Sequence, residues 1–261
     1  MSDLLADMGR SSRARAACIH EDAFRHLLNA APRVRPLEAS GFVLIAEVKF
    51  RAPSAGVLAT VDDPAADAAN RAHTYIKAGA NAVSVLTEPD RFSGDLAYLE
   101  AAAEHGCCMR KDFLVDPKQV WEARAHGASG VLLIAAMLDD ARLHAMLQAA
   151  ASAGLFVLLE AFDREDLERC HVDWHGEQPL LVGVNSRNLR TLEVDFERFE
   201  RLAPYLPSDR VCIAESGMRT AADVAHVAAL GYRGALVGSA LMQADDPAAL
   251  ARAMKRAGGE T

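Results

Sequence analysis

The sequence predicts an α/β protein of the (β/α)8 TIM barrel type with an N-terminal helical extension. After residue 40, short apolar runs alternate with Ala-rich stretches in which apolar residues recur every three or four positions, as on an amphipathic helix. About eight such units fit into the remaining chain, and this number favours a closed barrel over an open doubly wound sheet. No G-x-G-x-x-G motif follows the first apolar run, which also argues against a dinucleotide-binding sheet.

Eight strands are expected at the apolar runs, because continuous apolar segments joined by helical crossovers indicate parallel strands covered by helices. Three helix-to-strand junctions, KAGANAVSVL, AHGASGVLLI and ALGYRGALVG, carry a glycine near the helix end, which indicates one repeated unit. The runs are residues 42–48, 82–87, 107–112, 130–136, 156–161, 180–185, 211–216 and 234–239.

The chain is predicted to divide into an N-terminal helical extension, residues 1–40, and a barrel catalytic domain, residues 41–261. The extension holds the amphipathic pattern EDAFRHLLNAA and the proline-punctuated stretch APRVRPLEAS. Two places are open to it from the sequence: over the barrel mouth as a lid, or across the bottom or side of the barrel.

The composition narrows the range of partners. A net charge of −8 argues against general binding of nucleic acid, although a local basic cluster could still hold one phosphate. The first residues, MSDLLADMGR, lack the apolar core of a secretory signal, and no apolar run reaches the roughly 18 residues of a membrane span. We therefore expect no nucleic-acid partner, no membrane partner and a cytoplasmic location.

The five cysteines are expected to be structural thiols in a reducing compartment. They form no C-x-x-C motif and have no histidine at zinc spacing, so neither a metal site nor a redox pair is predicted. Neighbouring residues of a strand point to opposite faces, so two of the cysteines should fill different packing layers. The five are Cys18, Cys107, Cys108, Cys170 and Cys212.

Charged and polar residues end several of the predicted strands. In a barrel of this type the interior is apolar, while polar residues at the carboxyl ends of the strands face a common mouth. Alternation along each strand places these residues on the inward side, following inward apolar neighbours such as Ile45 and Ile213. The converging set is Glu47, Lys49, Lys111, Glu160, Asn185, Arg187 and Glu215.

This set favours acid–base chemistry. A lysine beside carboxylates in a poorly solvated mouth can donate a proton or hold an anion, and burial can raise the pKa of a carboxylate enough for it to act as a base. The last two strands add a phosphate signature, because barrels often bind phosphate on backbone N–H groups at this position. The residues of that signature are Ser216, Gly217, Gly238 and Ser239.

Five segments together resemble the indole-3-glycerol-phosphate synthase family. They are IAEVKxxxPSxG, SVLTEPDRFSGDL, RKDFLVDPKQVWEARAHGASGVLLIAAML, VGVNSRNLRTLEVD and AESGMRTAADV, spread over about residues 41 to 255. The resemblance implies a (β/α)8 fold and a step of tryptophan biosynthesis. In that step 1-(2-carboxyphenylamino)-1-deoxyribulose 5-phosphate, a small sugar-phosphate substrate, closes to indole-3-glycerol phosphate and loses carbon dioxide and water without a cofactor.

The resemblance also implies residue roles. Lys111 would be the general acid, Lys49 would hold the substrate carboxylate and share in proton delivery, and Glu160 would be the second acid–base group, positioned by Asn185. Glu47 and Glu215 would orient the lysines and bind ribulose hydroxyls. Substrate-binding roles would fall to Arg187, Ser54, Phe92 and Phe113, with core packing an equal explanation for the two phenylalanines, and phosphate binding to Ser216, Gly217, Gly238 and Ser239.

The sequence departs from the family pattern after the first strand. Ala52 stands where the family usually has serine, and Phe50 where a basic residue is common; after the fifth strand, Ala161 and Phe162 follow Glu160 in place of a more usual polar residue. Two alternatives therefore stay open. One is a paralogous barrel enzyme acting on a related anilino sugar phosphate, and the other a non-catalytic barrel that binds phosphate ligands. We expect a monomer or a weak homo-oligomer.

Overall fold

The computed structural model describes residues 4–188 and 191–259, and within these ranges eight parallel strands close into a barrel. Each strand pairs with its neighbours in chain order, and the first pairs with the last. The predicted fold class is confirmed, and every predicted apolar run contains the observed strand. The strands are β1 Val43–Val48, β2 Ala82–Leu86, β3 Cys108–Lys111, β4 Gly130–Ile134, β5 Phe156–Ala161, β6 Leu180–Asn185, β7 Val211–Glu215 and β8 Gly234–Val237.

Helices follow the strands and cover the barrel from outside. Aspartate side chains cap several of them by accepting hydrogen bonds from backbone N–H groups of the first turn, as Asp63, Asp116 and Asp139 do. The helices are α1 Leu4–Ala17, α2 Glu21–Ala30, α3 Pro64–Lys77, α4 Pro89–Phe92, α5 Leu96–Ala103, α6 Pro117–Ala125, α7 Asp140–Ser152, α8 Arg164–Arg169, α9 Arg198–Leu202, α10 Ala221–Ala229, α11 Ser239–Gln243 and α12 Pro247–Gly259, with 3-10 turns at Ala135–Met137 and Ala203–Tyr205.

The glycines at the three repeated junctions are required by the backbone. Gly79, Gly127 and Gly231 adopt φ values of 98°, 83° and 96°, a left-handed region that residues with a side chain rarely enter. Each follows the end of a helix and turns the chain toward the next strand, so the shared punctuation of the sequence reflects one shared turn.

Strand residues alternate between two apolar layers. One layer lies between strands and helices, and the other fills the barrel interior, where Ile45, Met109, Leu158 and Ile213 lie together. Cys108 belongs to the outer layer and Cys107 to the inner one, so the expected separation of the two thiols is confirmed. The inward parity deduced from the sequence is therefore the parity of the folded strands.

The N-terminal extension contacts both ends of the barrel. On α1, Ser11 donates a hydrogen bond to Asp90 at 2.9 Å and Arg15 pairs with Asp112, and both partners follow the carboxyl ends of strands. Farther along, the backbone N–H of Arg35 donates to Ser129, which precedes β4 at the opposite end. The extension therefore occupies the mouth side through α1 and the bottom through residues 34–39.

Among the described residues, no helix combines the length and apolar character needed to cross a membrane.

Candidate active site

A cavity of about 1420 Å³ opens at the carboxyl ends of the barrel strands. The polar residues that sequence alternation placed on the inward face all reach its wall, together with the loop residues expected to bind substrate and phosphate. The fourteen predicted site residues on this wall are Glu47, Lys49, Ser54, Phe92, Lys111, Phe113, Glu160, Asn185, Arg187, Glu215, Ser216, Gly217, Gly238 and Ser239.

Three carboxylates and two lysines form the floor of the cavity. Lys49 Nζ donates to Glu47 Oε1 at 2.5 Å, while Lys111 Nζ lies 3.4 Å from Glu160 Oε2 and 3.6 Å from Glu215 Oε2. The three glutamates are 1 to 2% exposed. Buried charges are costly unless they are paired, so each lysine stabilises the carboxylates beside it.

Burial and neighbouring charges shift the pKa values of two groups on this floor, Lys111 and Glu215. Burial acts to lower the pKa of Lys111, but the charges of Glu160, Glu215 and Glu47 outweigh it and raise that pKa above its ordinary value. The pKa of Glu215 is raised well above its ordinary value by burial and by the negative charge of Glu160. Lys111 is therefore a cation, and the Glu215 carboxyl group takes up a proton more readily than an ordinary glutamate does.

A network outside the barrel wall fixes the strand end that carries Lys111. Asp112 accepts two hydrogen bonds from Arg15, at 2.7 and 2.8 Å, one from Thr87 at 2.9 Å and one from Arg110 at 3.1 Å. Asp112 is buried, yet these cations lower its pKa to about 2. Because Arg110 and Asp112 flank Lys111, the network holds the backbone on both sides of it.

Sequence reasoning missed this network. The signal was present in the alternation of the third strand, because Arg110 and Asp112 must point outward if Lys111 points inward. Two charges directed into the apolar layer between strands and helices require partners. The most important partner, Arg15 of the extension, lies too far from Asp112 along the chain for sequence spacing to identify it.

The described residues of the loop after β6 line the cavity, among them Arg187 and Leu192. The backbone N–H of Arg187 donates to Asn185 Oδ1 at 2.9 Å, and Arg187 Nη1 donates to the carbonyl of Leu192 at 2.6 Å. Arg198 donates to the carbonyl of Asn185 at 2.9 Å. Burial lowers the pKa of Arg187 from its ordinary value, and the residue lines the cavity.

Asn185 was expected to position Glu160, and its side chain oxygen instead holds the Arg187 loop in the part of the chain that the structure describes. Its role toward Glu160 stays a prediction. Residues 189 and 190 of the NSRNLRTLEVD motif lie outside the described residues.

The predicted phosphate residues come together after β7 and β8. Ser216 and Gly217 both adopt positive φ, 69° and 88°, which makes a tight turn. A side chain at Gly217 would also crowd Phe196, whose ring atom would lie 3.0 Å from the added carbon. Gly238 precedes the short helix α11, which begins at Ser239, so backbone N–H groups of both loops border the same part of the cavity.

The apolar wall includes the two predicted phenylalanines. The rings of Phe92 and Phe113 lie 6.0 Å apart at an interplanar angle of 41°. Both also pack against the inner apolar layer, so they serve the core and the cavity together.

The two departures after the first strand lie behind the cavity wall. Phe50 is 7% exposed and packs edge-on against Tyr98, with ring centroids 5.3 Å apart. Ala52 is 5% exposed and belongs to a short antiparallel pairing with Gly56. Neither residue lines the cavity, whereas Ser54 and Ala55 of the same loop do.

Comparisons with known proteins point to one family. The sequence profile described as "Indole-3-glycerol phosphate synthase" matches residues 17–254. A protein of that name from Parafrankia sp. (strain EAN1pec) is 48% identical over 213 residues, which cover 81% of this chain and 76% of the relative. Another from Mycobacterium leprae (strain Br4923) is 41% identical over 266 residues, covering 99% of this chain and 94% of the relative.

Solved structures with similar folds are more distant in sequence. The 3-hexulose-6-phosphate synthase of Salmonella typhimurium aligns with a TM-score of 0.63 at 16% identity and covers 82% of this chain and 97% of its own. A tryptophan synthase structure from M. tuberculosis aligns with a TM-score of 0.58 at 17% identity, covering 91% and 99%. At such identities the likeness shows the barrel fold alone.

Proposed function

The chain belongs to the indole-3-glycerol phosphate synthase family, carboxy-lyases of tryptophan biosynthesis, and we propose how its own residues divide the work of that reaction. The observation that carries the proposal is the position of Lys111, an ammonium held between two buried carboxyl groups on the cavity floor. Ring closure, loss of carbon dioxide and loss of water each need a proton moved or a charge held, and this floor supplies groups for each step.

Lys111 acts as the general acid of ring closure. The ribulose carbonyl oxygen becomes an alkoxide when the aromatic ring carbon attacks, and an ammonium donor at that oxygen helps most where water is excluded. The outer network of Arg110 and Asp112 supports this role because it fixes the strand end from which Lys111 reaches the cavity.

Lys49 and Arg187 hold the substrate carboxylate. Glu47 keeps Lys49 at 2.5 Å and shares its charge, so the pull of Lys49 on the carboxylate is moderated. Such moderation suits a decarboxylation, because binding the carboxylate too firmly would stabilise the ground state. Arg187 supplies a partly buried guanidinium from the loop after β6.

Glu160 acts as the second acid–base group, in dehydration and return of aromaticity. It is 2% exposed and lies beside Lys111, so a proton can pass between the two groups without entering water. Glu47 and Glu215 orient the lysines, and Asn185 holds the loop that carries Arg187.

The substrate spans the cavity from its phosphate end to its aromatic end. Ser216, Gly217, Gly238 and Ser239 bind the phosphate through the two loops after β7 and β8. Phe92 and Phe113 face the aromatic ring on the opposite wall, and Ser54 contacts the substrate from the loop after β1. The lining of one cavity by all these residues supports this orientation.

The location and assembly of the protein are part of the proposal. We place it in the cytoplasm, since all five cysteines are free and four of them are buried. The substrate is its one small-molecule partner, and the expectations of no nucleic-acid or membrane partner and of a monomer or weak homo-oligomer stay predictions.

A steady-state assay of indole-3-glycerol phosphate formation, with the structure of the product complex, tests these roles. We expect turnover within the usual range of about 1 to 1,000 per second. The product's phosphate should lie against Gly217 and Gly238 and its indole ring near Phe113. A phosphate bound at the Arg187 end, or turnover many orders lower with this substrate, would overturn the assignment.

A further inference from the structure

Gly183 occupies an unusual place in the barrel. It lies in the interior of β6, and glycine in the middle of a strand weakens it because there is no side chain to pack. Its backbone does not explain the choice, since Gly183 is absent from the positive-φ glycines and keeps the extended form of its strand. Alanine could adopt the same conformation, so the reason for glycine must be space.

The space above Gly183 is filled by a carboxyl group. A methyl group at position 183 would overlap Glu215 Oε1, and it would lie 3.1 Å from Glu215 Cδ and 3.2 Å from Leu158 Cδ1. Gly183 and Glu215 lie on adjacent paired strands, β6 and β7, where Gly183 is directly opposite Ile213. The Glu215 side chain therefore leans across β6 toward the centre of the barrel, where Lys111 Nζ lies 3.6 Å from Oε2.

A second glycine shows the same arrangement. At Gly238, which directly follows β8, an added methyl group would overlap Glu47 Oε1 and come within 2.9 Å of Lys49 Nζ. By contrast, Gly130, at the bottom of β4, leaves room for the ring of Phe156. Gly183 and Gly238 thus make room for charged groups near the mouth, whereas Gly130 makes room for the core at the bottom.

We propose that Gly183 is a positioning residue, whose missing side chain lets the Glu215 carboxyl group reach Lys111 and Glu160 and join them in a cluster that stores one proton. This inference rests on the proposed roles of those residues in the synthase reaction. In the proposed mechanism Gly183 contacts neither the substrate nor the reacting atoms, and it acts through Glu215.

Glu215 is the place where the stored proton resides. It is 1% exposed, and neither carboxyl oxygen has a hydrogen-bond partner among the described residues. Two carboxylates beside one buried ammonium leave one negative charge in excess, and an unpaired buried charge takes up a proton rather than remain ionised. The groups that face Glu215 are Lys111 from β3, Glu160 from β5 and Glu47 from β1, and the last two reinforce the uptake.

Gly183→Ala tests the proposal, with Gly130→Ala as the matched control. The added methyl group should push the Glu215 carboxyl group away from Lys111. A displacement of about 1 Å in a catalytic site costs on the order of 100-fold in turnover. We expect kcat to fall by that factor with KM little changed, and the alkaline limb of the pH–rate profile to move. Gly130→Ala should lose stability but keep the pH profile of the parent, because the atoms nearest to its methyl group belong to the Phe156 ring in the core.

An infrared measurement reads the proton independently of turnover. The carbonyl band of a protonated carboxylic acid should be present at pH 7 in the parent, absent in Glu215→Gln, weakened or displaced in Gly183→Ala and unchanged in Gly130→Ala. A band that Gly183→Ala leaves unchanged, together with an unmoved pH profile, would overturn the proposal while leaving the synthase function intact. A parent enzyme without synthase activity would instead count against the proposed function.

A double-mutant cycle covers the case in which Gly183→Ala does not fold. In a Glu215→Ala background the carboxyl group that blocks position 183 is gone and Leu158 Cδ1 is left at 3.2 Å, so adding Gly183→Ala should cost less than about 3-fold in activity and little in melting temperature. If the single variant is unfolded and the double variant folds, the steric relation is upheld. If the double variant loses as much as the single one, position 183 acts independently of Glu215 and the proposal fails.

Discussion

Replacing Lys111 with alanine tests the mechanism most directly. Lys111 Nζ lies 3.4 Å from Glu160 and 3.6 Å from Glu215, so the variant removes the one ammonium between two buried carboxyl groups. A positioned general acid contributes about 10²- to 10⁴-fold to a rate. At about 1.36 kcal/mol per factor of ten, the loss is about 3 to 5 kcal/mol of transition-state stabilisation.

Substrate binding should survive the same change. The phosphate residues follow β7 and β8, and the carboxylate residues Lys49 and Arg187 come from other loops, so Lys111 contributes little to holding the ground state. We expect the Kd of the product to change by less than about 3-fold, or under roughly 0.7 kcal/mol. Loss of turnover without loss of binding is the signature of a group that acts in the transition state.

The fold should tolerate Lys111→Ala better than the breaking of a buried ion pair would suggest. Removing one partner of such a pair costs about 3 to 5 kcal/mol when the other remains charged. Here Glu160 and Glu215 can share a proton, which relieves the charge left behind, so we expect a smaller loss of unfolding free energy. Urea unfolding at pH 7 measures this loss.

The assays are product formation followed by absorbance and product binding followed by titration calorimetry. Lys77→Ala, an exposed lysine at the end of α3, is the control and should match the parent in both. Turnover within about 10-fold of the parent would refute the acid role of Lys111, since that is below the smallest expected contribution. A rise in Kd equal to the fall in kcat would instead make Lys111 a binding residue.

Three further predictions follow from other parts of the site. Arg187→Gln should raise KM about 10- to 100-fold with a smaller change in kcat, since a charge-assisted hydrogen bond contributes about 1.5 to 3 kcal/mol; steady-state kinetics showing a fall in kcat alone would contradict it. The pKa of Asp112 lies near 2, below its ordinary 3.8, so its ionised form stabilises the fold fully above about pH 4 and this stabilisation, about 2 kcal/mol, is lost as the pH falls toward 2. Urea unfolding at several pH values should show a shallower acid slope for Asp112→Asn, and equal slopes would refute the assignment. Ala52→Ser should leave KM unchanged and cost about 1 to 3 kcal/mol of stability, because position 52 is buried behind the cavity wall; a lower KM would show that the hydroxyl reaches the substrate.

The fold and most of the cavity wall were predictable because both follow from local periodicity. Alternation along β1 and β5 fixes which side of each strand Glu47 and Glu160 occupy, and parallel strands bring their carboxyl ends to one mouth. Strand bounds agreed to within two residues for the same reason, since the apolar runs are continuous and end at turn residues.

The rest depends on contacts that no local pattern encodes. Arg15 reaches Asp112 across most of the first half of the chain, and nothing in the spacing of α1 selects that partner. Ala52 and Phe50 looked like changes to the substrate site because they lie in a motif, yet the turn after β1 places both behind the wall. Alternation along β6 places Gly183 on the inward side, but no local pattern shows why it is glycine, because the carboxyl group that needs its space comes from the next strand.

The proton balance of the reaction gives the carboxyl cluster a purpose. The substrate enters with an ionised carboxylate and loses it as neutral carbon dioxide, so each turnover consumes one proton. With Glu47, Glu160 and Glu215 all ionised, that proton would have to come from Lys111, which would then stand neutral between two buried carboxylates while the cavity is filled. With Glu215 protonated, as we propose, Lys111 can regain its proton from within the cluster while water is excluded. The site then recovers its proton from solvent after the product leaves, when the mouth is open again.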